Sequence, residues 1–104
     1  IQEMNNIQYG TTIGDNCILW AGNHIGHHSK IGGSVQITSH VVISGRNNVG
    51  DLCYFGVNSS TRDGLNICSE TVLGMSSGLI KNTRSPGLYT GFPAVYKGSA
   101  YKYI

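Results

Sequence analysis

Residues Ile25 to Gly45 read IGHHSKIGGSVQITSHVVISG, and a large apolar residue returns in that stretch at every sixth place: Ile25, Ile31, Ile37 and Ile43. The count continues without a change of register through Ile1, Ile7, Ile13 and Leu19 on one side. On the other it runs through Val49, Phe55, Thr61, Ile67, Leu73 and Leu79. Thirteen of these 14 positions are apolar in a chain that is only 39% hydrophobic, so chance composition does not explain the pattern. Four residues after each of them stands a compact residue such as Asn23, Ser29, Asn47 or Cys53, with Leu65 the exception. One residue after them, glycine recurs at Gly14, Gly26, Gly32, Gly50, Gly56 and Gly74.

An apolar residue every sixth place advances about 600° on an α-helix and smears around it, which excludes an amphipathic helix. Six is a multiple of the strand period of two, so the first and fifth residues of each unit can both face inward. Short strands joined by turns and coiled into an all-β solenoid meet both conditions. With a triangular cross-section, three hexads close one coil and residues 18 apart stack directly. Successive coils then lie about 4.8 Å apart. The 14 hexads amount to between four and five coils. Periodicity does not set the hand of the coil.

One hundred and four residues make one small domain. A net charge of +2, with scattered Lys and Arg, points to no nucleic-acid partner and no membrane insertion. No apolar run reaches the roughly 20 residues that span a bilayer, and the first residues carry no signal-peptide pattern. Cys17, Cys53 and Cys68 are odd in number and form no CxxC pair, which suits a reducing cytoplasm. Cys17 and Cys53 fall on the small inward position two coils apart, about 9.6 Å, too far for a disulfide. The absence of an initiating Met suggests a fragment. After Arg84 the segment SPGLYTGFPAVYKGSAYKYI abandons the hexad, so residues 1–84 read as the solenoid and residues 85–104 as a C-terminal cap over its open end.

The unbroken hexads over residues 1–84 resemble the hexapeptide-repeat acyltransferases. The stretches IGHHSKIG and, more widely, LWAGNHIGHHSKIG with ITSHVVISG resemble the NeuD-type, sialic acid O-acetyltransferase-like sugar acyltransferases. This resemblance implies a left-handed parallel β-helix, against the usual right-handed crossover preference. It implies a homotrimer with active sites between subunits. The activity it implies is transfer of an acetyl group from acetyl-CoA to an amino or hydroxyl group of a nucleotide-linked sugar. An upstream Rossmann-like sugar-nucleotide domain is expected before residue 1.

Each histidine can be placed on the hexads. His27 and His28 are the third and fourth residues of their unit, His40 is a fourth, and His24 is the last residue of the preceding unit, all outward. A zinc site like that of the γ-class carbonic anhydrases needs histidines two coils apart. No two histidines here are 36 apart and none follows His40, so no metal is expected. The resemblance places the general base on His27, with His28 as the alternative, and an oxyanion-holding N–H on Gly45, 18 residues on. Where many relatives carry a carboxylate after the catalytic His, this chain has His28, which does not fix the base's tautomer as a carboxylate would. Asp15, Asp51 and Asp63 are the carboxylates left to choose from, and some relatives' second His is Gln36 here.

Gly91, Pro93 and Ala94 resemble the Gly-x-Pro-Ala segment that flanks the coenzyme A arm. Lys81, Arg84 and Lys97 are placed to meet its phosphates. Trp20, Asn23, His24 and His40 are candidates for substrate or subunit contact, Trp20 because large outward aromatics favour interfaces. Cys68 is outward with no His in register to make it a nucleophile. The rival reading is a non-catalytic assembly module, which would be expected to lose the His27 and Gly45 register that this chain retains.

Overall fold

The computed structural model describes residues 1–100 of the chain. From Ile7 onward the first residue of each hexad closes a strand of two residues, three at Leu73, and the strands stack into three sheets. The first contains β1 (Asn6–Ile7), β4 (His24–Ile25), β7 (Val42–Ile43), β10 (Ser60–Thr61) and β13 (Gly78–Leu79). The second contains β2 (Thr12–Ile13), β5 (Lys30–Ile31), β8 (Asn48–Val49) and β11 (Asn66–Ile67). The third contains β3 (Ile18–Leu19), β6 (Gln36–Ile37), β9 (Tyr54–Phe55) and β12 (Thr71–Leu73), then β14 (Gly87–Thr90) and β15 (Val95–Gly98). Pairing is parallel and 18 residues apart, as in His24↔Val42, Lys30↔Asn48 and Gln36↔Tyr54. The result is a left-handed β-helix of about five coils. Among the described residues no helix is long and apolar enough to cross a membrane.

The hexad's first positions form three columns through the core. Ile25, Ile43, Thr61 and Leu79 back the first sheet; Ile31, Val49 and Ile67 the second; Leu19, Ile37, Phe55 and Leu73 the third. Burial of such stacked aliphatic side chains contributes about 1.5–3 kcal/mol each. Thr61 interrupts its column, and its hydroxyl accepts the Ser44 N–H at 3.4 Å.

The fifth positions line the inside of the corners and carry polar ladders. Asn5 Oδ1 accepts the Asn23 N–H at 3.1 Å, and Asn23 Oδ1 accepts the Val41 N–H at 2.8 Å. Asn23 Nδ2 also donates to Trp20 O at 3.0 Å. Asn23 is therefore a buried rung with its amide spent on the framework, not a contact for substrate or partner. An unmade bond of this kind costs about 1–3 kcal/mol.

The sequence pattern leaves out how the corners turn. The fourth residue of the unit is left-handed at Met4, Asn16, His28, Ser34, His40, Arg46, Leu52, Asn58, Glu70 and Ser76, with φ between 55° and 63°. That conformation costs a non-glycine residue about 1 kcal/mol. From His28 onward each of these corners recovers a hydrogen bond in return, because the left-handed residue's N–H reaches the carbonyl of the coil before, as His28 N–H does to Tyr9 O and Arg46 N–H to His27 O. The second-position glycines have a different cause: a Cβ on Gly14 would stand 2.7 Å from Gly32 O, and one on Gly26 would run into the Gly45 nitrogen.

The 18-residue stacking holds as far as β13 and then tightens to 16. Thr83 bridges to Ile67, and β14 pairs with β12 as Thr71↔Gly87 and Leu73↔Tyr89. The chain turns back as β15, antiparallel on β14. Tyr89 is buried at the end of the third column, with its hydroxyl donating to Ser85 O at 2.8 Å. The remaining residues of the expected cap, 101–104, lie outside the described residues.

Candidate active site

One corner of the prism, between the first and second sheets, gathers most of the chemistry-bearing residues. Tyr9, His27, Gly45, Asp63 and Lys81 succeed one another there at 18-residue intervals, one per coil. The corner exists because each hexad of the first sheet hands over to the second through its third and fourth residues, which have no inward role.

His27 is half-buried in this column and His28 exposed beside it. The His27 ring lies over Gly45: a Cβ at that glycine would stand 2.8 Å from His27 Nε2. The His28 ring leans the opposite way, over Gly10, where a Cβ would stand 2.6 Å from His28 Cδ2. Two missing side chains on the coils above and below thus seat the two rings. Between them His27 Nδ1 and His28 Nδ1 are 3.1 Å apart, and the rings meet edge to face at 86°. Tyr9 stacks on His27 at 6.1 Å and 18°, and meets His28 edge-on at 5.1 Å.

The amide of Gly45 is turned toward this ring by the core. Ser44 O, on the same peptide plane, is drawn inward by Asn47 Nδ2 at 2.6 Å and Ser29 Oγ at 3.3 Å. In a trans peptide the N–H points opposite to the C=O, so the Gly45 N–H faces out. No acceptor among the described residues takes it. One coil earlier the corresponding amide is occupied: His27 N–H donates to Gln8 Oε1 at 2.9 Å. The residue in the place of Gln8 one coil up is Gly26, which has no side chain to offer. A carbonyl oxygen therefore fits such an amide at this corner, and at Gly45 the place for it is open.

Farther up the same corner, Arg62, Ile80, Lys81, Asn82 and Arg84 line an open cleft of about 370 Å³. Lys81 is two coils above Gly45, about 9.6 Å by strand spacing. The cleft brings the expected Lys81 and Arg84 together and adds Arg62, which lies one residue before the column and was not singled out in the sequence. Lys97 is in β15, on the third sheet, and belongs to a different face.

The segment Gly91 to Ala94 is clipped to the edge of β13, the last strand of the first sheet. Gly78 N–H donates to Gly91 O at 3.0 Å, and Ala94 N–H to Gly78 O at 2.7 Å. Gly91 N–H is held by Ser77 Oγ at 3.1 Å. The Phe92–Pro93 peptide is cis, and the exposed Phe92 ring covers Gly78. β13, to which this segment is bonded, leads directly into Ile80 and Lys81 of the cationic cleft.

The other named residues are elsewhere. His24 is half-buried in β4, and His40 is exposed at the corner between the third and first sheets, its ring over Gly22. Trp20, 43% exposed, shares the outer face of the third sheet with Ile18 and Tyr54, on the side of the prism away from His27. Within one chain it does not wall the His27 site. Asp15 and Asp51 lie at the corner between the second and third sheets, and Asp51 is spent on the Gly33 N–H at 2.8 Å. Asp63, two coils above His27, is too far to orient it. No three of the His, Cys, Asp and Glu side chains among the described residues converge as metal ligands would.

Comparison with known proteins gives a consistent pattern. Residues 10–45 match the bacterial transferase hexapeptide (six repeats) family. Over 71 residues the chain is 35% identical to a probable UDP-3-O-acylglucosamine N-acyltransferase 2, mitochondrial, of Arabidopsis thaliana, covering 68% of this chain and 23% of that protein. The acetyltransferase domain of PglB from Neisseria gonorrhoeae superposes with a TM-score of 0.76 at 14% identity, over 91% of this chain and 55% of that one. PerB from Caulobacter crescentus, solved with CoA and GDP-perosamine, does so with a TM-score of 0.63 at 18% identity, over 94% and 56%. The last two are likenesses of fold. The chain spans between 23% and 34% of the length of the first curated relatives it matches.

Proposed function

We propose, for a chain built on the hexapeptide repeats of bacterial transferases, that it transfers an acyl group, acetyl in the first instance, from coenzyme A to an amino or hydroxyl group of a nucleotide-linked sugar. The observation that carries this reading is the His27–Gly45 pairing, an imidazole Nε2 lying over the Cβ place of a glycine whose backbone N–H the core turns outward and no acceptor among the described residues takes. General-base and oxyanion-holding groups in that juxtaposition are what acyl transfer from a thioester requires. By their names the curated relatives act on UDP-N-acetylglucosamine, with an acyl-carrier protein as donor, or on UDP-3-O-acylglucosamine, and PerB holds CoA with GDP-perosamine, which supports a sugar nucleotide as acceptor.

His27 Nε2 takes the proton from the acceptor N–H or O–H as that atom forms its bond to the thioester carbon. The Gly45 N–H holds the negative charge that grows on the thioester oxygen. As the C–S bond breaks, the protonated His27 returns its proton to the leaving sulfur, so acyl product and free thiol form with the base restored. His28, the alternative base, has its ring over Gly10 instead of Gly45, which favours His27. Arg62, Lys81 and Arg84 suit the phosphates of coenzyme A running up the corner, with Gly91, Pro93 and Ala94 alongside the arm. Trp20 with Ile18 and Tyr54 suits packing against another copy in a homotrimer, whose neighbour would close the open corner.

The test is release of free thiol from acetyl-CoA across a panel of UDP-, GDP- and dTDP-linked amino sugars. We expect turnover with at least one of them, and His27→Ala to lower it by about 10²–10⁴. No thiol release with any acceptor, or full activity in His27→Ala, would overturn the reading.

A further inference from the structure

We infer that His27 and His28 act as one base: His28 is a positioning residue that accepts the His27 Nδ1 proton and leaves His27 Nε2 bare, and the first extra proton the pair binds disables the site whichever ring carries it. This rests on the reading of His27 as the base and adds what orients it, in a chain that has no carboxylate at that place.

The geometry permits one arrangement of protons for activity. Two imidazole nitrogens 3.1 Å apart hold one proton between them, never two. A neutral imidazole carries a single N–H, so with the shared proton on His27 Nδ1 the His27 Nε2 has a lone pair facing Gly45. His28 Nδ1 is then the acceptor and His28 Nε2 bears its own proton. Adding one proton gives either a doubly protonated His27, or a doubly protonated His28 that donates to His27 Nδ1 and drives the His27 proton onto Nε2. Both states cover the nitrogen that must accept.

The fold holds the two rings for this. His28 is at a left-handed corner, φ 58°, which sends its side chain down over Gly10 while His27 rises over Gly45. Tyr9 touches both rings from the coil below. The charged groups around the pair are Arg46, 18 residues after His28 and so one coil above it, with its N–H on His27 O, Lys30 two residues on in β5, and Asp63 two coils above His27. None is a carboxylate in contact with either imidazole, so neutral His28 is what biases the tautomer. Sharing also steadies the cation, because an N–H···N bond from a charged ring is stronger than one from a neutral ring.

Two substitutions at His28 separate the roles. His28→Gly suits the left-handed backbone and removes the acceptor. His28→Asn also tolerates that backbone, and keeps an acceptor oxygen near the place of Nδ1 without a titrating group. With acetyl-CoA and the best acceptor, we expect His28→Gly to lower the plateau kcat roughly tenfold with little change in KM, and to move the acid limb to lower pH. His28→Asn should recover most of the plateau. In ¹⁵N spectra of the wild-type protein both rings should follow the same first titration step as the rate, and His27 Nε2 should be the unprotonated nitrogen above it, a state lost in His28→Gly. A His28→Gly plateau and acid limb that coincide with wild type, a His28→Asn no better than His28→Gly, or a His27 Nε2 that stays protonated would each overturn the inference. The reading of His27 as base is judged separately: it fails if His27→Ala keeps activity, whatever His28 variants do.

Discussion

Gly45 lies one coil above His27 with nothing between them, so that a Cβ there would stand 2.8 Å from Nε2 and 3.0 Å from Cδ2 of the imidazole. Gly45 has no left-handed backbone to demand glycine. Its lack of a side chain is a matter of clearance. Gly45→Ala should fold as the wild type does but push the ring aside, and a displacement of about 1 Å at a reacting group costs on the order of 10² in rate. Thermal unfolding and kcat measured on the same preparation check this. An alanine variant with unchanged kcat would mean that the ring and this amide do not work together.

Arg62 joins Lys81 and Arg84 in one cleft although they are up to 22 residues apart in the chain. Removing Arg62 or Lys81 as alanine should raise KM for acetyl-CoA by roughly tenfold and leave kcat in place, the signature of binding shared by ground and transition states. Acetyl-pantetheine, which has no phosphates, should show no such change. Equal losses with both donors would place the cleft's role elsewhere.

Cys53 responds to pH through the core. Burial pushes its thiol from about 9 up to about 11, so the fold favours the neutral form. The stability this confers is fully present below about pH 9 and is lost as the pH rises through 11. Stability should fall at about 1 kcal/mol per pH unit across that window from this group. Urea unfolding of wild type and Cys53→Ala at successive pH values isolates it: the gap between the two should narrow above pH 9. A gap that stays constant to pH 11 would refute the assignment.

The site was legible in the sequence to the extent that it follows the 18-residue stack. Counting from His27 reaches Gly45, and counting two coils more reaches Lys81, because vertical neighbours in a coil are a fixed number of residues apart. The same count downward reaches Tyr9. Arg62 escaped because it stands beside the column, where side-chain reach and not register decides contact. Asn23 is buried as its fifth-position register implies, which sets it apart from the outward Trp20, His24 and His40. The tightening from 18 to 16 after β13 has no mark in the hexad, since Thr83 and Tyr89 fill core positions through the path of the connecting turn.

Sequence by itself determined the coil, its three-hexad rung and the faces that look inward, because a period of six can be satisfied by strands and turns and by no helix. Tertiary structure alone decided which way the paired groups point. The His27 and His28 rings lean in opposite directions because glycines clear space above one and below the other. The Gly45 N–H faces outward because Asn47 and Ser29 hold the carbonyl of its peptide inside. Spacing tells which residues are neighbours, but the orientation of a ring or a peptide plane depends on what its neighbours on other coils leave room for and bond to.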